Sequence, residues 1–210
     1  MTVGAVTAAP VTRRAWLAAA LALTPGRTHA GAQVEEPLAD AVRSALAAAV
    51  ADAAPPRPPF DTLEQRLAYL RWLGAASEKL KPRLADHHTR VELLQTAWYE
   101  SKRARLATDV VLGLIQVESG FRKYAISSAG ARGYMQVMPF WARVIGDGQD
   151  RRLFHVQTNL RFGCVILRHY LDVERGDLFM ALGRYNGSRG RPEYPNAVLA
   201  ARRGWELKLG

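Results

Sequence analysis

The chain has 210 residues, 49% of them hydrophobic and 23% charged, with 29 Lys and Arg against 19 Asp and Glu for a net charge of +10. That length holds one globular domain with a small appendage. The basic balance suits an anionic partner, whether nucleic acid, a phospholipid surface or an acidic cell-wall polymer. The chain lacks the basic-aromatic interleaving of single-strand binders and any zinc-finger spacing, which sets nucleic acid aside.

The first segment reads as an export signal. Residues 1–32 carry Arg13, Arg14 and Arg27 and no acid, so their removal leaves a net charge of about +7. Thr12-Arg13-Arg14-Ala15-Trp16-Leu17 opens an apolar stretch that ends at Leu23. Thr28-His29-Ala30 and Ala30-Gly31-Ala32 each offer the small-X-small pattern of a cleavage site. An apolar core of about nine residues is too short for a stable membrane span. The arginine pair resembles a twin-arginine signal, while an ordinary secretory n-region carries the same charge. The competing reading is an Ala-rich amphipathic helix of the mature chain. No lipobox-like cysteine follows the signal, so no lipid anchor is predicted.

Leu38, Val42, Leu46 and Val50 recur every fourth residue and predict a helix over 35–52. Pro55-Pro56-Arg57-Pro58-Pro59 then predicts a stiff, extended connector. Leu63, Leu67, Leu70 and Trp72 or Leu73 mark a further helix, capped by Asp61 or Thr62 and ending near Pro82. Another spans 89–101 with Val91, Leu94 and Trp98. Thr108 or Asp109 caps the next, which runs through Val110, Leu114, Ile115 and Val117. A Gly-rich loop over 120–133 is followed by a short helix begun by Pro139. Val156 to Val173 is long and amphipathic, Asp177 caps the next helix, and a last one covers 194–205. No alternating strand and no internal repeat is present. The prediction is an all-α protein: a signal over 1–32, an N-terminal helical segment over 33–88 with its linker at 55–59, and a catalytic domain over 89–210.

The chemistry centres on Glu118. The apolar run Val110 to Val117 delivers a carboxylate at its C-terminal end, where Ser119, Gly120, Ser127, Gly130 and Gly133 form a polar loop. A carboxyl at such a boundary is expected to be partly desolvated. Burial raises its pKa and keeps it protonated near neutral pH, as a general acid requires. No Asp or Glu occurs between Glu118 and Asp147. Asp147, Asp150, Asp172 and Glu174 read as solvated. Cys164, alone in an apolar stretch, reads as a small buried hydrophobe. His87-His88 invites a metal reading, but no further Cys or His cluster completes a ligand set. Neither metal nor cofactor is expected.

Glu118-Ser119, Ser127, Gly130-Ala131, Gly133-Tyr134-Met135-Gln136, Met138-Pro139 and Tyr185-Asn186 resemble, in order, the motif series of the soluble lytic transglycosylase catalytic domain, of the goose-type lysozyme-like superfamily. The similarity covers residues 90 to 205. It implies a lysozyme-like fold acting on peptidoglycan glycan strands in the periplasm. By resemblance Glu118 is the catalytic acid and then base, and the C6 hydroxyl of the muramoyl residue attacks C1 to give a 1,6-anhydro product. Retaining and inverting glycosidases both carry a second carboxylate. In this family one glutamate suffices.

The resemblance also places Ser127, Ser119, Gln136, Met138, Tyr134 and Tyr185 at the substrate, with Gly133, Met135 and Asn186 shaping the site. The Tyr185 hydroxyl is expected to approach the catalytic carboxylate. Each residue also has a plain structural alternative: Ser127 bonding its own loop, Ser119 closing the helix end, the methionines packing the core, Tyr185 simply buried. Two positions depart from the family pattern. Tyr134 replaces a leucine and alters stacking if it faces the groove. Arg184 replaces the alanine before Tyr185, where it either meets a substrate carboxylate or is solvated. Two other functions remain open, a hydrolytic muramidase and a weakly catalytic peptidoglycan-binding or envelope-assembly module. No protein partner can be named.

Overall fold

The computed structural model describes residues 1, 33, 35–51 and 60–207. The predicted signal (apart from Met1) and the Pro-rich connector at 55–59 lie outside the described residues. The helices are α1 (Asp40–Ala51), α2 (Leu63–Leu80), α3 (His87–Arg103), α4 (Thr108–Glu118), α5 (Pro139–Ile145), α6 (Val156–Val173), α7 (Leu178–Asn186) and α8 (Glu193–Trp205). A 3-10 turn over Asp150–Phe154, which the sequence pattern did not suggest, precedes α6. Among the described residues there is no strand. Two isolated bridges, Ile126 with Arg132 and Arg132 with Val137, fold the loop after α4 upon itself. The chain is all-α, as expected.

Local chemistry sets the helix ends. Thr62, Asp86 and Asp177 each accept a backbone N–H from the first turn of α2, α3 and α7. Pro139 opens α5, where its missing N–H costs nothing. Gly187 closes α7 in the left-handed region at φ 74°. Thr108 does not cap α4 as predicted; it is the first helical residue, and its Oγ1 meets Ser101 Oγ at 2.8 Å.

The core lies between α4, α6 and the helices packed on them. Val111, Leu112, Leu114 and Ile115 of α4, with Leu160, Ile166 and Leu167 of α6, are fully buried, and each such side chain contributes about 1.5–3 kcal/mol through burial. Cys164 belongs to this core, with burial holding its thiol well above the usual range. Glu100 of α3 and Arg161 of α6 form a buried ion pair at 2.9 Å. The N-terminal helices are bound to this body. Arg103 donates to the Ala49 carbonyl of α1. Buried Arg90 ties α3 to Ser77 and to the carbonyls of Leu84 and Ala85.

Candidate active site

Glu118 is the last residue of α4. Its side chain follows a helix that is apolar nearly all round, so it enters the domain interior and is only 5% exposed. Ser119 then ends the helix by turning its hydroxyl back to the Ile115 carbonyl at 3.1 Å. Gly120 and Phe121 both take positive φ, 59° and 66°. For a bulky residue that is a costly conformation, and Phe121 is held in it by packing its buried ring edge-on against Trp205, 5.4 Å between centroids.

Burial pushes the Glu118 carboxyl up to about 8, although the Tyr194 hydroxyl donates to Oε1 at 2.5 Å and pulls in the opposite direction. Oε2 is buried without a partner. No second acid contributes to the shift. Tyr194 stays a neutral donor, because burial and the glutamate both oppose its ionisation. It reaches Glu118 because α8 packs closely against α4. At Gly113 the two backbones are so close that a Cβ there would stand 2.7 Å from the Arg202 nitrogen.

The loop from Gly120 to Met138 is organised by its own backbone. Ser127 N–H donates to the Ala131 carbonyl at 3.0 Å, and Ser127 Oγ accepts from Ala131 N–H at 3.1 Å. Gly133, at φ 75°, could hold no side chain, since a Cβ would meet Asn159 Nδ2 at 2.4 Å and the Leu153 carbonyl at 2.6 Å. Asn159 of α6, fully buried, fastens the turn: Oδ1 accepts from Met135 N–H at 2.7 Å, while Nδ2 donates to the carbonyls of Arg132 and Leu153. Met135 rests on Gly163, where a Cβ would come 2.4 Å from its sulfur.

These contacts sort the expected site residues. Ser127 and Met138 are half-buried and border solvent. Ser119, Tyr134, Met135, Gln136, Tyr185 and Asn186 are buried. Tyr134 is turned into the core, not toward a groove, and burial with Glu92 and Tyr124 nearby pushes its phenol up to about 12. Gln136, at φ 49°, spends its amide donors on the carbonyls of Ala125 and Gly133. Tyr185 gives its hydroxyl hydrogen to the Met135 carbonyl at 2.8 Å, and it is Tyr194 that bonds Glu118. Asn186 Nδ2 donates to Ser188 Oγ, and its Oδ1 is buried without a partner.

Arg184 is neither solvated nor free for a ligand, being paired with Glu174 at 2.8 Å and Glu36 at 3.0 Å. Of the four acids read as solvated, Asp147, Asp150 and Asp172 pair with Arg152, Arg132 and Arg168. Glu174 is largely buried between Arg189 and Arg184, which hold its carboxyl down at about 2. The crevices of about 470 and 840 Å3 on either side of α1 contain neither Glu118 nor Tyr194.

Residues 96–199 match the family described as the Transglycosylase SLT domain. Residues 96–199 form a transglycosylase SLT domain. The matched stretch of this SLT domain starts within α3 and includes Glu118, the loop, Asn159, Tyr185 and Tyr194; α1 and α2 lie outside it. Among curated proteins, similarity is found to the membrane-bound lytic murein transglycosylase C of Actinobacillus pleuropneumoniae serotype 5b (strain L20), 37% identical over 75 residues, covering 32% of this chain and 20% of that protein. The protein of the same name from Glaesserella parasuis serovar 5 (strain SH0165) is 37% identical over 75 residues, covering 32% of this chain and 21% of that one. That of Haemophilus ducreyi (strain 35000HP / ATCC 700724) is 30% identical over 91 residues, covering 40% and 22%. The chain thus matches about a fifth of the length of these relatives.

Sequence reasoning missed Tyr194 and Asn159. Asn159 did leave a signal, as a polar residue on the buried face of an amphipathic helix. Tyr194 left none, because only the pairing of α4 with α8 brings it to Glu118.

Proposed function

We propose that the protein is a peptidoglycan lytic transglycosylase with Glu118 as its single acid and base. The observation that supports this most directly is the buried carboxyl itself, raised to about 8, bonded on one oxygen by Tyr194 and shifted by no neighbouring acid. At neutral pH it holds a proton on a site whose second oxygen has no internal partner. Glu118 gives that proton to the glycosidic oxygen between N-acetylmuramic acid and N-acetylglucosamine, and the C1–O bond breaks. The C6 hydroxyl of the muramoyl residue then bonds to C1, and its proton passes to the Glu118 carboxylate. The result is a 1,6-anhydro end, and no water is consumed. In this reading Ser127 and Met138, which are half-buried, touch the sugar.

The setting we propose is the bacterial periplasm, in keeping with the Arg13-Arg14 signal pattern and with the murein named for the relatives. No helix among the described residues is long and apolar enough to cross a membrane. Residues 33–88 serve in this reading as a brace through α1 and α2. The test is digestion of purified sacculi with mass analysis of the fragments. Anhydro ends that disappear in Glu118→Gln are expected. Reducing ends, heavier by one water, would instead make the enzyme a muramidase, and intact sacculi would leave only binding.

A further inference from the structure

The chain ahead of α1 folds back onto the α5–α7 side of the catalytic domain. Gln33 is 4% exposed, and its Oε1 accepts a hydrogen bond from the Trp141 indole Nε1 at 2.9 Å. It also lies beside Tyr185, easing that phenol's ionisation slightly, while the charge of Glu118 opposes it from the catalytic centre. Three residues on, both Glu36 oxygens accept from Arg184 Nη1, at 3.0 and 3.1 Å. Glu36 itself is about half exposed.

This is a poor way to pack a core. A carboxamide has been inserted beside Trp141 and Tyr185, and its Nε2 is buried with no hydrogen-bond partner of normal geometry. Arg184 does not need Glu36 to stay in place, because Glu174 holds it from the other side. If Gln33 lifts away, the Trp141 N–H is left needing an acceptor and Arg184 is left with an open face. A carbonyl with an adjacent N–H, and a carboxylate a short distance away, would satisfy both.

We infer that Trp141, Tyr185 and Arg184 form a pocket for a 2-acetamido sugar bearing an acidic substituent, and that Gln33 and Glu36 occupy it as an internal stand-in that the glycan strand must displace. This rests on the proposed action on peptidoglycan, but it concerns binding and not cutting. Cleavage after Ala32, one of the two predicted signal sites, would make Gln33 the first residue of the mature chain. The plug would then be a free end needing no hinge. A plug seated in about four molecules of five weakens ligand binding about fivefold.

The experiment uses the full chain carrying Glu118→Gln, so that no probe is cut. Tetra-N-acetylchitotetraose, which offers acetamido groups alone, and a muramoyl-containing tetrasaccharide with free carboxylates are titrated by calorimetry. The hosts are this protein and the same protein with Gln33→Ala or Glu36→Ala. Both added substitutions are expected to tighten binding of the carboxylate-bearing sugar about fivefold. Chitotetraose should gain from Gln33→Ala and bind more weakly throughout. Both probes should shift the Trp141 indole N–H resonance, identified by its loss in Trp141→Phe. Equal affinities in all three proteins, or an unmoved Trp141 signal at saturation, would overturn the inference. Glu36 is exposed, so its alanine variant tests the plug even if Gln33→Ala disturbs folding. Failure of the catalytic reading shows separately, as absence of Glu118-dependent cleavage of sacculi.

Discussion

The Tyr194 hydroxyl, from the first turn of α8, is hydrogen-bonded to the Glu118 carboxyl at the last turn of α4. The two residues are 76 positions apart, and the bond exists because the two helices pack in close contact. It favours the carboxylate while burial favours the acid, so it tempers the rise of the pKa without reversing it.

Replacing Tyr194 by phenylalanine keeps the ring and removes that donor. The Glu118 pKa should climb further, and the alkaline limb of the kcat/KM profile should move above pH 8. Activity at pH 7 should fall about tenfold to a hundredfold, since a more basic carboxyl without its positioning bond transfers protons less well. A pH series of sacculus solubilisation measures both effects; a limb that stays in place would mean that another group controls it.

Gly113→Ala attacks the same bond from a distance. The new methyl meets the Arg202 backbone at 2.7–2.9 Å, and α4 must part from α8. A cost of about 1–3 kcal/mol in stability is expected from overpacking, together with an alkaline shift in the same direction as in Tyr194→Phe. Urea denaturation and the pH profile read the two effects separately. Lost stability with an unchanged profile would show that the carboxylate and phenol stay together without tight helix packing.

Glu118 should also make the protein less stable as pH rises. Its folded pKa lies above the ordinary 4.5, so between pH 4.5 and 8 the folded state holds a proton that the unfolded state has released. The contribution of Glu118 to stability is therefore greatest below about 4.5 and declines toward 8, by about 1.4 kcal/mol per pH unit at the steepest. Glu118→Gln should flatten this decline, and thermal unfolding at several pH values will show it. Parallel curves for the two proteins would contradict the raised pKa.

Asn159→Ala removes three hydrogen bonds, to Met135 N–H and to the carbonyls of Arg132 and Leu153, and leaves Met135 N–H without its acceptor, while the Arg132 carbonyl keeps Val137 N–H. A loss of about 2–4 kcal/mol is expected. Activity measured well below the melting temperature should fall as well, because the turn also receives the Tyr185 hydroxyl. Normal activity in a destabilised protein would confine Asn159 to a purely structural role.

The helices were largely legible because a period of apolar residues and a capping side chain are local properties. α6 was read to the residue, and Thr62, Asp177 and Pro139 marked true starts. Glu118 was legible for the same reason, as an acid at the end of an apolar run. Directions of side chains in the loop were not. Tyr134 and Gln136 point inward because α6 presents Asn159 and Gly163 beneath the turn, and no local pattern reveals what lies under a loop. Arg184 looked like a substrate contact or a solvated charge because the fold alone brings it to Glu174 and to Glu36, the second of them 148 residues away.

The orphaned Oε2 of Glu118 has a consequence for the economy of hydrogen ions during turnover. In the proposed reaction, with Oε1 occupied by Tyr194, a single atom must both surrender a proton and take one back, and the bond-forming hydroxyl supplies the replacement. A cycle of that kind is self-recharging. It needs no relay of side chains or solvent leading out of the domain, which suits a carboxyl only 5% exposed.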